Sequence, residues 1–132
     1  MNIKKLILAS LAVFVTMQVT DYLIHYLILS STYQSLATLW RPDMESMMWL
    51  MILTSLFFSF MFVFIYTKGY EGKGIMEGVR YGLIIGLFLN VVGALNQYVV
   101  YPIPFSLAVQ WFIYGMIQFI IAGIIASLIY KS

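Results

Sequence analysis

"MEGVRYGLIIGLFLNVVGALNQYVV", residues 76–100, opens with Glu77 and Arg80 and then runs from Tyr81 to Val100 without a single charge. An uncharged apolar run of that length is what an α-helix needs to cross a hydrocarbon core of about 30 Å. Its apolar residues are continuous rather than alternating, so the pattern of a membrane β-barrel is absent. Gly78, Gly82, Gly86 and Asn90 recur every four residues, and at about 100° per residue Gly93, Ala94 and Gln97 extend the same stripe. Small residues in such a stripe let a neighbouring helix approach closely, which predicts a packing surface on Gly78, Gly82, Gly86 and Gly93.

Three more windows of similar length flank this one, at 6–29, 43–67 and 105–130, in a chain of 132 residues that is 63% hydrophobic, 17% aromatic and only 9% charged. That balance is far too apolar for a soluble domain. The expected fold is therefore all-α: a polytopic membrane protein, a bundle of four antiparallel transmembrane helices forming one domain over 1–132. The short connections, 30–42, 68–75 and 101–104, make sequential helices neighbours. The opening "MNIKKLILASLAVFVTM" has the basic start and apolar middle of a signal peptide. No small-residue cleavage pattern follows, and Asp21 and His25 continue the same helix, so it is expected to stay as the first span.

Basic residues orient the chain. Lys4, Lys5, Lys68, Lys73, Arg80 and Lys131 fall on one side and Arg41 alone on the other, which predicts both termini in the cytoplasm of a bacterial inner membrane protein. The net charge of +2 is dispersed, so a nucleic-acid partner has no support. The expected partners are the lipid bilayer and either further copies of the chain or a larger membrane complex. The absence of cysteine removes disulfides, zinc thiolate sites and thiol catalysis together. With one histidine and no paired carboxylates on an interior face, enzymatic activity is not expected, and no residue pattern names a cofactor.

The connections differ in character. In "TKGYEGKG" (67–74), Gly69 is placed for a left-handed helix cap, and Glu77 and Arg80, at i and i+3, form a solvated pair at the next helix start. "YPIPF" (101–105) is a tight outer turn set by two prolines. In "SSTYQSLATLW" (30–40), Tyr33, Leu36, Ala37 and Trp40 recur at helical spacing, which predicts a short helix in the outer membrane interface, anchored by Tyr33 and Trp40. "RPDMESMMWLM" (41–51) then starts the second span, with Asp43 and Glu45 in a first turn where a helix dipole favours acids.

Polar groups collect in the outer half of the membrane. At about 1.5 Å per residue, Asp21 lies some 22 Å beyond Leu6, and Gln18, Asp21 and His25 fall within about 60° on one helix face. Glu45, Gln97 and Gln110 reach comparable depth, and the loop contributes Arg41. Asn90, Tyr114 and Gln118 extend this lining toward the interior, with Gln110, Tyr114, Gln118, Ala122 and Ala126 four apart on the last helix. A carboxylate in lipid costs several kcal/mol and needs a partner. His25 is the nearest and Arg41 the second, and Asp21, Arg41 and Glu45 could join in an ion network. Two readings of the cluster stand: it clamps the loop to the bundle, or, because histidine titrates near neutrality, it is a proton-linked or ligand-linked site open to the outside. Met44, Met47, Met48 and Met51 line one face about 100° wide. With His25 they offer soft ligands for Cu(I), although methionine also fills irregular cores.

The segments "LWRPDME", "GYEGKGIMEGVRYGLIIG" and "YPIPFSLAVQWF" resemble small four-span bacterial membrane proteins of uncharacterised function, over most of residues 20–130. That resemblance implies the four-span fold and carries over no activity. Two functions of different class follow from the residues: an oligomeric carrier or channel for a small solute or cation, proton- or metal-linked, or a non-catalytic accessory subunit that docks its glycine stripe against a larger membrane complex.

Overall fold

A computed structural model describes residues 1–131 of the chain, and among them there is no strand. Helix α1 spans Ile3–Asp21 and continues without interruption as a π-helical segment, Tyr22–Ile28. A short helix α2, Ser30–Ser35, follows, and then single 3-10 turns at Ala37–Leu39 and Glu45–Met47. Helices α3 (Met48–Lys68), α4 (Ile75–Val100) and α5 (Phe105–Ile129) complete the chain. Four stretches are long and apolar enough to cross a membrane: Ile3–Ile28, Glu45–Lys68, Ile75–Val100 and Phe105–Ile129.

Helix α1 lies against both α3 and α5, and α5 lies against α4. Leu6, Ala9, Val13 and Met17 of α1 are buried with Phe62, Val63 and Tyr66 of α3 and with Phe119, Ala122, Ala126 and Tyr130 at and beyond α5. The chain ends meet: the Asn2 backbone N–H donates to the Tyr130 hydroxyl at 3.3 Å, and the Lys5 ammonium donates to the Lys131 carbonyl. Large apolar side chains such as Ile84, Phe88, Phe57 and Val99 remain exposed, which in water would be costly and in lipid is not.

The closest backbone approach is between α4 and α5. A side-chain carbon added to Gly78 would strike the Gly123 carbonyl and come within 2.7 Å of Ser127 Oγ; one on Gly82 would strike the Phe119 carbonyl. Gly86 is less tight, with Phe119 Cβ at 3.1 Å, and Gly93 has nothing within 4 Å. The stripe therefore packs tightly at Gly78 and Gly82, less so at Gly86, and meets open space at Gly93.

Several local expectations are corrected. The second membrane helix begins regularly at Met48 rather than Asp43, because Asp43 is taken by Arg41 at 2.6 Å and its carbonyl by Ser46. The loop helix is split at Leu36, which departs from helical geometry at φ −110° and ψ 20°. Gly69 is not left-handed (φ −108°); the positive φ angles fall on Gly72 and Gly74. Those two glycines bend the connection so that the backbone N–H groups of Glu71 and Lys73 donate to the Glu77 carboxylate at 2.6 and 2.9 Å. Glu77 is accordingly buried, while Arg80 is exposed, and the expected solvated pair is not formed.

Candidate functional site: a polar cavity beside Asp21 and His25

The π-helical segment follows directly on Gln18, Thr20 and Asp21 of the first span. Its i→i−5 pattern, ending in the Leu29 N–H bond to the Ile24 carbonyl at 2.9 Å, widens the helix and turns His25 away from the register a regular helix would give it. Such insertions concentrate at functional sites. The segment carries Ile24 and His25 into the wall of an open cavity of ≈ 340 Å³ whose other lining residues come from α4 and α5. From α4 come Asn90, Gly93, Ala94 and Gln97, and from α5 Trp111, Tyr114, Gly115 and Gln118. The bare face at Gly93 is what leaves this space.

A connected run of hydrogen bonds forms the wall beside α1 and α2. The Trp111 indole N–H donates to the Tyr33 hydroxyl at 2.7 Å, and that hydroxyl lies 2.6 Å from His25 Nδ1. An indole can only donate, so it occupies a lone pair of the Tyr33 oxygen and leaves the phenol proton free for Nδ1. A neutral His25 then carries its proton on Nε2, facing Asp21. The imidazole also stacks on the Tyr33 ring, with centroids 5.8 Å apart and planes within 15°, and Trp40 meets that ring edge-on. Tyr33 lies in α2, outside the membrane-spanning helices. Burial pushes its phenol above the ordinary value, the Trp111 hydrogen bond opposes this, and the Asp21 charge adds to it.

Of the two expected partners of Asp21, His25 stands at ion-pair range, Nε2 to Oδ1 4.0 Å, beyond a hydrogen bond, while Arg41 is paired with Asp43. The group that reaches Oδ1 is the Gln118 side-chain amide, at 2.7 Å, and the same Nε2 donates to Thr20 Oγ1 at 2.8 Å and lies 3.5 Å from the Met17 carbonyl. These acceptors assign the Gln118 amide: the nitrogen must face α1, so Oε1 faces the other way.

The remaining candidates are dispersed. Gln18 donates to Ser55 Oγ at 2.8 Å, across to α3. Glu45 is exposed in its 3-10 turn, and Gln110 is half-buried on α5 and does not line the cavity. Asn90 packs its amide against Gly115 and offers Nδ2 to Met116 Sδ at 4.0 Å. Of the methionines, Met44 and Met51 are exposed and Met47 and Met48 half-buried. They are divided between a turn and α3, because the regular helix starts only at Met48. Among the described residues, no three of His, Asp and Glu come together as metal ligands.

Sequence reasoning missed three members of this site. Tyr33 and Trp111 were open to discovery only through the fold, since they stand 78 residues apart. Thr20 gave no signal beyond its place beside Asp21. Comparison with protein families, with curated proteins and with solved structures gave no match. Fold and site together define a class, a multi-pass membrane protein, on four spans and their own residues alone.

Proposed function

We propose that this chain is a small, non-catalytic carrier or channel of the bacterial inner membrane, with both termini cytoplasmic and α2 lying at the outer interface of an antiparallel four-helix bundle. The observation that carries the reading is the cavity itself. A space of ≈ 340 Å³ bounded by His25, Asn90, Gln97, Tyr114 and Gln118 is of the size at which small-molecule sites begin, and polar groups at membrane depth ordinarily line a solute path. Four helices enclose little more than one such space, which favours assembly of several copies for transport. The solute is a small polar molecule or a cation.

Extraction at native abundance followed by sizing tests the assembly. An oligomer of this chain alone supports the carrier. Stoichiometric foreign subunits would overturn it in favour of an accessory subunit of a larger complex. In parallel, liposomes containing the purified chain should equilibrate a small polar solute faster than protein-free liposomes, and equal rates across a panel of neutral and cationic solutes would contradict the proposal.

A further inference from the structure

Gln118 is 6% exposed, and its amide nitrogen is committed to Asp21 and Thr20. No N–H or O–H of the described residues donates to its Oε1. Among the described residues, every side-chain nitrogen or oxygen that is fully closed off has a partner. The Oε1 atom therefore has access to open space, and the space that Gln118 lines is the cavity. It is a hydrogen-bond acceptor awaiting a donor. Because the other end of the same amide donates to a carboxylate, the group is polarised along its length, and the negative charge of Asp21 is expressed at Oε1. Tyr114 lines the same cavity, and its hydroxyl makes no hydrogen bond to the described residues.

Apart from His25, which lines the cavity and is positive only when protonated, the surroundings hold no free positive group. Arg41, the one outer cation, is exposed and spent on Asp43, and none of the cavity residues from α4 and α5 is charged. An anion would meet the Gln118 oxygen with the Asp21 carboxylate behind it. A bare metal ion would need several oxygen ligands at close range, whereas half of this wall is Ile24, Gly93, Ala94, Trp111 and Gly115. Apolar and aromatic surface suits an alkyl group, and the Trp111 and Tyr114 rings attract an attached cation.

Resting on the reading of the cavity as a solute site, we infer that its ligand is a small organic ammonium ion, its N–H donors taken by Gln118 Oε1 and the Tyr114 hydroxyl, its charge balanced by Asp21, and its alkyl part laid on the α4 face at Gly93 and Ala94. Gln118 here is a relay between carboxylate and ligand.

The test is a titration of the wild-type chain in nanodiscs, following the indole N–H resonance of Trp111, with methylammonium, potassium, urea and acetate as chloride or sodium salts or neutral solute at matched ionic strength. Methylammonium should move the resonance saturably, and the other three should not. Asp21→Asn, which keeps an acceptor for Gln118, should weaken methylammonium by about tenfold or more. A saturable response to urea, acetate or potassium without one to methylammonium would overturn the ammonium ligand and leave the solute site standing. No saturable response to any of the four would overturn both. An unchanged methylammonium affinity in a folded Asp21→Asn variant would remove Asp21 as counter-charge and with it the inference.

Discussion

Asp21 shows how one costly residue organises its neighbours. A carboxylate in an apolar bundle must be partnered; Asp21 accepts a hydrogen bond from a glutamine of the last helix, 97 positions away, and has His25 at ion-pair range. The imidazole that stands one turn along the chain is turned toward Tyr33 by the π-helical widening. Tyr33 thus accepts from the Trp111 indole and donates to His25 Nδ1. Its phenol is favoured in the neutral form inside the fold, so it should resist ionisation above its ordinary value near pH 10. The sign for stability follows: the contribution is fully present below about pH 10 and is lost as pH rises through Tyr33's own higher value. A difference titration of tyrosinate absorbance, wild type minus Tyr33→Phe, should show no Tyr33 signal until the pH is above 10. A Tyr33 component that titrates at or below 10 would show that the phenol is not buried as described.

At the scale of elements, the α4 and α5 pair is held by shape. Substituting alanine should be worst at Gly78 and Gly82, where the new carbon meets backbone, milder at Gly86, where it meets side chains, and near neutral at Gly93. Overpacking of this kind costs about 1–3 kcal/mol. Thermal unfolding in detergent should return that order, and equal losses at Gly82 and Gly93 would contradict the packing. The turn before α4 depends on one carboxylate. Glu77→Ala would leave the Glu71 and Lys73 amides without their acceptor, at a cost of about 1–3 kcal/mol. Hydrogen exchange at those two amides should quicken well ahead of exchange in α4 itself, and unchanged protection would show the turn to be held otherwise. The four apolar spans and the glycine spacing on α4 could be read from the sequence, since both depend on near neighbours in the chain; the α5 residues that the glycines meet could not. The role of Glu77 could not. It depends on two positive φ angles at Gly72 and Gly74, and an acid near a helix start looks the same whether it faces water or folds back on its own turn. The π-helical segment was equally hidden, because "YLIHYLI" is as compatible with a regular helix as with a widened one.

For the whole molecule, one stripe on α4 has a tight end and an open end. At Gly78, Gly82 and Gly86 it closes on α5; farther along, Gly93, Ala94 and Gln97 line the polar cavity. The account therefore rests on that cavity being wet and open toward the outside of the cell. The chain has no cysteine, so a single introduced thiol reports without background. Gly93 has room for one. In intact cells, a membrane-impermeant thiol reagent should label the Gly93→Cys variant, as it should Pro102→Cys in the outer turn, while Gly82→Cys, sealed against α5, stays unlabelled. Labelling of Pro102→Cys with no reaction at Gly93→Cys in a folded protein would mean that the space beside Asp21 and His25 is closed to water from outside, and the proposed solute site would fall.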